Sequence, residues 1–183
     1  MTKHETYAVE IAGLKRELPL FEIKPGLKIA ILNILGDTEL AQASAKELAM
    51  KLADKSFDVL VTAEAKSIPL AYALSVETKK PYVVLRKAYK LYMGDALKAE
   101  TLSITTGQPQ TLILDEKDRE TIKGKKVVIV DDVISTGSTL QGMRMILDKA
   151  ESSVVAEAAI LTDGDRAEWM HIISLGHLPL FTE

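Results

Sequence analysis

The run Val127-Val128-Ile129-Val130-Asp131-Asp132-Val133-Ile134-Ser135-Thr136-Gly137-Ser138-Thr139 constrains this chain more than any other stretch. Val127 to Val130 is an unbroken β-branched run and reads as a fully buried strand. Asp131 and Asp132 stand where that strand is expected to end. A short Ser/Thr/Gly loop follows, and then a helical stripe of Met143, Ile146, Leu147 and Ala150. Open α/β sheets bind ligands beyond the carboxyl ends of their strands, often at a helix N-terminus.

The rest of the chain repeats this alternation. Leu27 to Leu35, Phe57 to Thr62, Pro81 to Leu85, Lys125 to Val130 and Val154 to Thr162 read as strands. Between them, Ala41, Ala45, Leu48, Ala49 and Leu52 mark one helix, with Asp37 as its cap and Glu39 in its first turn. Ser67 is placed to cap another, with Pro69 in the first turn. Strands alternating with helices predict an α/β fold, a twisted and mainly parallel sheet flanked by helices. Residues 86–100 are basic without a clean period and read as a mobile loop. Thr101 to Thr105 and Thr111 to Leu114 flank Gly107-Gln108-Pro109 and predict a hairpin. The expected layout is a single domain over 1–183, with a core of about 27–165 and a small hood from 1–26 and 166–183.

Composition narrows the chemistry. The chain has 183 residues, no cysteine and a net charge of −3. Thiol catalysis and disulfides are excluded, and broad nucleic-acid or membrane binding has no support. No apolar stretch is long enough to span a bilayer, and the first residues lack the apolar core of a signal peptide. A cytoplasmic location is the expectation. His4, His171 and His177 form no ligand spacing or triad, and Trp169 and Met170 are expected to cover the core.

The order of groups after Val130 predicts a ligand with two ends. Asp131 and Asp132 can accept hydrogen bonds from vicinal hydroxyls. The loop Val133, Ile134, Ser135, Thr136, Gly137, Ser138 and Thr139 offers turn amides and hydroxyls to a phosphate, with Gly137 allowing close backbone approach. A Walker loop is excluded, because no Gly-Lys-Ser/Thr follows the glycine. A second anion loop is predicted at Ala65, Lys66 and Ser67, between a strand and a helix start. Arg86, Lys87 and Lys90 form the densest basic cluster near a strand end, suited to phosphate oxygens.

These segments together resemble the type I phosphoribosyltransferases. IVDDVISTGST is similar to that family's phosphoribosyl pyrophosphate motif, and Thr62 to Ala71 looks like its pyrophosphate loop. Arg86-Lys87-Ala88-Tyr89-Lys90-Leu91 resembles the Arg-Lys-x-x-Lys-Leu segment of the adenine branch. The resemblance covers roughly residues 55–165. It implies transfer of phosphoribosyl from phosphoribosyl pyrophosphate to a purine base, adenine first, in purine salvage. It implies Asp131 and Asp132 on the ribose hydroxyls and residues 133–139 on the 5-phosphate. Ala65, Lys66, Ser67, Arg86, Lys87 and Lys90 would hold the pyrophosphate. Magnesium is implied mainly on substrate oxygens and water, and a homodimer is implied as the assembly. The segment 88–106 would close over the site. The adenine enzymes carry a Glu followed by Tyr-Gly before the hairpin glycine, whereas this chain has Thr105-Thr106-Gly107. Glu100 is the nearest carboxylate and the candidate acid or base. Ser103 to Thr106 is closer to the xanthine branch, so xanthine or another purine is the alternative.

Three rivals stand beside this reading, one of them a purely structural domain, against which the three co-ordered anion motifs speak. A regulator that binds phosphoribosyl pyrophosphate without catalysis would carry a winged helix ahead of this fold, and about 26 residues before the first strand are too few. A response-regulator receiver also contains Ile-Val-Asp-Asp, but on its first strand rather than a late one.

Overall fold

The structure is a computed structural model and describes residues 5–102 and 109–182. Two sheets and a hairpin share the chain. The first sheet is built from the N-terminus. β1 (Thr6–Ile11) and β2 (Leu14–Lys24) form an antiparallel hairpin around Ala12 and Gly13. β3 (Leu27–Ala30) folds back on β2 after Pro25-Gly26, and β11 (Phe181–Thr182) closes this sheet on the other edge of β3. The expected strand at Leu27 to Leu35 is therefore corrected. Its first part pairs antiparallel in the hood, because the Pro-Gly turn returns it onto β2. Leu32 and Ile34 then leave the strand and plug the core.

The second sheet is parallel, in the order β10-β9-β8-β4-β5. Its strands are β4 (Val59–Ala63), β5 (Tyr82–Leu85), β8 (Lys126–Ile134), β9 (Ser153–Asp163) and β10 (Ile173–Leu178). β10 lies in the region expected to be hood, yet it pairs in register with β9, from Ile173↔Ala158 to Leu178↔Asp163. Its short sequence, ISLGHL, lacks the length and β-branched density that made the other strands legible.

Helices cover both faces. α1 (Thr38–Lys51) and α2 (Ile68–Thr78) pack on one, with Asp37 capping α1 through the Leu40 amide. α4 (Ser138–Lys149) packs on the other, joined by α3 (Glu116–Ile122), an element the sequence reading missed. Val128 and Val130 point into the core under α1 and α2, and Val127 and Ile129 into the core under α4. This is the two-sided burial that the β-branched run predicts. The hairpin of β6 (Leu97–Leu102) and β7 (Pro109–Leu114) lies over α4, where Gly142 leaves room for Leu112 and Thr101. Residues expected to form a mobile loop are ordered in part: Leu91–Met93 is a short 3-10 helix with Met93 buried, and β6 begins at Leu97.

Strand connections place the site. β4 leads to β5 on one side of itself, while β8 lies on its other side. The chain thus reverses direction between β4 and β8, which is where open α/β sheets hold ligands. β8 pairs with β4 only from Val59↔Val127 to Val61↔Ile129, but follows β9 as far as Ile134↔Thr162. Beyond Ile129 a crevice opens beside β8. The strand therefore does not end at the acids, as expected from sequence. Asp131 and Asp132 sit inside β8, held by β9 alone.

Candidate functional site

The Asp131 and Asp132 carboxylates lie beside one another at the edge of β8, where adjacent residues of the 65–67 loop reach both. Asp132 is buried, and its amide donates to Asp131 Oδ1 at 2.9 Å. Burial, and then the neighbouring Asp132 carboxylate, push the Asp131 carboxyl up to about 8. The Ser67 hydrogen bond and the Asp132 amide pull the other way without cancelling this. Asp132 Oδ2 is buried without a hydrogen bond. The Lys66 ammonium lies 3.2 Å away, in ion-pair range but off the angle for a hydrogen bond, so this oxygen keeps an acceptor position open.

The loop after β4 meets these acids from across the crevice. Ser67 stands before α2, but its side chain does not cap the helix, as its sequence position predicted. Its Oγ reaches Asp131 Oδ1 at 3.2 Å and the Ala63 carbonyl at 3.1 Å. Lys66 pairs with Asp132 and donates to the Leu32 carbonyl at 3.3 Å, which ties the hood to the loop. Lys66 remains 47% exposed. Ala65 is exposed between them.

The basic cluster after β5 is held differently from the expectation. Arg86 Nε donates to Glu64 Oε2 at 2.7 Å, and the Lys87 amide donates to Glu64 Oε1. Burial opposes ionisation of Glu64, yet the Lys87 amide and the Arg86 guanidinium hold its carboxyl below the usual range. The Arg86 backbone also exchanges two hydrogen bonds with Ile113. Lys87 and Lys90 are exposed beside it. Glu64 was missed at the sequence level, although a carboxylate following a strand into an anion loop is the kind of residue that needs a partner.

After β8, the chain turns through Val133 to Thr139 into α4. These residues line a small open cavity of about 80 Å³ together with Asp131 and Leu140. Gly137 takes the left-handed conformation, φ 75°, at the N-cap of α4. The Thr136 and Ser138 hydroxyls are 3.1 Å apart, and the Gly137 carbonyl accepts from Gln141 N. Such a turn presents amides and hydroxyls to an anion at a helix start. Ser135 lies beside Asp163, the last residue of β9. Burial pushes the Asp163 carboxyl up, while Ser135 and the nearby His177 pull it down. Asp163 and Trp169 are the other residues that sequence reasoning did not single out for the site.

Glu100 is not brought to this cluster. It lies on the exposed face of β6 opposite Thr111, while Ala99 and Thr101 of the other face are buried. Ser103, Ile104, Thr105, Thr106 and Gly107, which carry the departure from the adenine branch, lie outside the described residues, as does His4. Among the described residues, no three His, Cys, Asp or Glu side chains group as a metal site, and no helix is long and apolar enough to cross a membrane.

Known proteins resemble this chain in sequence and in fold. The chain is 30% identical over 159 residues to the purine biosynthesis transcriptional repressor of Bacillus subtilis, covering 84% of this chain and 55% of that protein. It is 38% identical over 112 residues to a hypoxanthine/guanine phosphoribosyltransferase of Methanococcus voltae, covering 61% of this chain and 56% of that protein. The chain thus spans little more than half the length of these curated relatives. Its fold is that of the adenine phosphoribosyltransferase from Thermoanaerobacter pseudethanolicus, with TM-score 0.68, 22% identity and coverage of 94% and 95% of the two chains. The enzyme from Giardia lamblia complexed with 9-deazaadenine superposes with TM-score 0.67 at 18% identity, over 94% and 93% of the chains. The family model of the phosphoribosyl transferase domain matches residues 32–172, so this chain belongs to that family.

Proposed function

We propose that this chain is a purine phosphoribosyltransferase, which takes phosphoribosyl pyrophosphate and a purine base and gives a nucleoside monophosphate and pyrophosphate. One observation carries the reading. The anion loop at 65–67 meets the two acids that lead into the 133–139 turn, Ser67 on Asp131 at 3.2 Å and Lys66 on Asp132 at 3.2 Å. A ligand with a phosphate at one end, vicinal hydroxyls in the middle and a pyrophosphate at the other fits that order. The turn at 133–139 takes the 5-phosphate, and Asp131 and Asp132 accept from the ribose hydroxyls. Ala65, Lys66, Ser67, Arg86, Lys87 and Lys90 face the pyrophosphate.

The open acceptor position on Asp132 Oδ2 fits a hydroxyl, or water of a magnesium ion carried by the substrate oxygens. Magnesium keeps waters and phosphate oxygens as ligands, and it would neutralise charge on the leaving group. As the bond from the anomeric carbon to pyrophosphate breaks, its electron pair leaves with the pyrophosphate. A purine ring nitrogen bonds to that carbon, and its proton passes to a pyrophosphate oxygen or solvent. The residues contribute positioning and a preset field for the departing anion.

Adenine is the proposed base, supported by the Arg86-Lys87-x-x-Lys90-Leu91 segment; hypoxanthine, guanine and xanthine are the alternatives. The cavity of about 460 Å³ lined by Leu18, Pro19, Phe21, Leu32 and Asn33 is large enough for a base. The bond from Lys66 to the Leu32 carbonyl sets it beside the pyrophosphate loop. A homodimer is proposed through the groove between α1 and α2, where Tyr72 and Val76 are more than half exposed. Lys46, Glu39 and Glu77 line the same groove, so a two-fold axis can set acid against base.

A second reading has support of its own. The similarity to a purine biosynthesis repressor, over 84% of this chain, favours a regulator that binds the donor without turnover. Incubation with phosphoribosyl pyrophosphate, magnesium and each purine in turn separates the two. Nucleoside monophosphate and pyrophosphate in equal amounts support the enzyme. Donor binding with no product from any base supports the regulator, and absence of donor binding removes both.

A further inference from the structure

Trp169 is the only tryptophan of the chain, and its six-membered ring lies against Gly137 of the phosphate turn. A Cβ at position 137 would stand 2.8 Å from Trp169 Cη2, 3.5 Å from Cζ3 and 3.8 Å from Cζ2. The indole is itself anchored. Its Nε1 donates to the Asp163 carbonyl at 2.8 Å, and its own carbonyl accepts from Ile172 N at 3.0 Å. The turn that carries it, Arg166–Trp169, is started by Asp165, whose carboxylate accepts from Ala167 N. The Asp163 carboxylate also lies beside Ser135, at the start of the same turn. The end of β9 thus supports the turn at Gly137 through the indole it anchors.

An anion nest needs such support. Its amides point toward one place, and without the anion their dipoles repel each other. A backbone with a glycine at its bend is free to relax unless something rigid stands behind it. An indole with two torsions costs little entropy to hold and covers much area. Trp169 lines a separate cavity with Thr162, Ile172 and His177, and not the cavity of the turn itself. It therefore backs the loop without touching the place where a phosphate would sit.

We propose that Trp169 is a positioning residue that holds the 133–139 turn in its anion-binding shape, and that its indole reports occupation of that turn. This rests on the 5-phosphate reading above. The test uses the full chain and ribose 5-phosphate as probe, with tryptophan emission and calorimetry as readouts. Ribose 5-phosphate is expected to change the emission of the wild-type protein, and pyrophosphate alone is not. Trp169→Ala is expected to weaken ribose 5-phosphate about tenfold and pyrophosphate less than twofold, with Trp169→Phe recovering most of the loss. If the enzyme reading holds, KM for the donor rises while kcat stays nearly constant. An unchanged emission, or equal losses for both probes, overturns the proposal. Should Trp169→Ala fail to fold, the emission of the wild type and the affinities of Trp169→Phe still decide. A wild-type protein that binds no ribose 5-phosphate by calorimetry instead refutes the 5-phosphate reading itself.

Discussion

Glu64 and Arg86 join the two anion segments: Arg86 Nε lies 2.7 Å from Glu64 Oε2, and the same carboxylate takes the amide of Lys87. The Arg86 guanidinium and the Lys87 amide thus already hold an anion that belongs to the protein. Glu64→Gln removes that charge while keeping the shape. It is expected to tighten pyrophosphate binding about three- to tenfold, since a charge-assisted pair must otherwise be given up. Calorimetric titration of pyrophosphate checks this. Weaker binding in the variant would show instead that Glu64 serves to aim Arg86.

Asp131 and Asp132 carry the middle of the proposed ligand. Asp131→Asn with Asp132→Asn is expected to remove turnover by at least about a hundredfold, with a near-native circular dichroism spectrum. Near-wild-type rates in that protein would sink the site assignment.

Asp131 also gives the fold a pH dependence of known sign. Its folded value, about 8, lies above the ordinary carboxylate value of 3.8. The folded state therefore holds a proton that the unfolded chain has lost between those two pH values, and stability falls as pH rises through that window. Asp131→Asn abolishes this contribution. Melting curves from pH 4.5 to 8.5 are expected to fall more steeply for the wild type. The stability of the variant relative to the wild type is expected to rise with pH and to be greatest at the alkaline end. Parallel profiles would contradict the cause assigned to the shift.

Lys66 neutralises Asp132 and reaches the hood through Leu32. Lys66→Ala is expected to lower kcat/KM for the donor by about ten- to a hundredfold. The melting temperature should change little, because the lysine is half exposed and water can replace it. A large loss of stability with unaltered kinetics would make the lysine structural.

Gly137 and Trp169 are expected to couple. Gly137→Ala meets both the left-handed backbone and the indole, and should cost about 1–3 kcal/mol in urea unfolding. Adding Trp169→Ala should return part of that cost, because the steric portion disappears while the backbone portion stays. Strict additivity would show that the ring does not press on the loop.

Much of this architecture is legible because it depends on short-range pattern. The β-branched run at Val127 to Val130 announces a strand buried on two faces, although the acids that follow lie inside that strand and only the hydroxyl turn stands at its exit. Segments whose partners lie far away are read less well. Leu27 to Ala30 looks like any buried strand, and only the return onto β2 places it in the hood. Ile173–Leu178 is too short and too mixed to stand out, and its pairing with β9 puts it in the main sheet. The hydroxyl of Ser67 looks like a helix cap, yet the crevice beside β8 offers it Asp131 instead.

The chain alone thus determined the class of fold and the order of the candidate anion motifs from which the donor is proposed. Local spacing carries both. The tertiary structure decided which groups meet. It set Lys66 on Asp132, Glu64 on Arg86, Trp169 on Gly137 and Glu100 toward solvent. Those pairings span from 22 to 66 residues of sequence, and only the packing of β4 beside β8 and of β9 behind the phosphate turn brings them within reach.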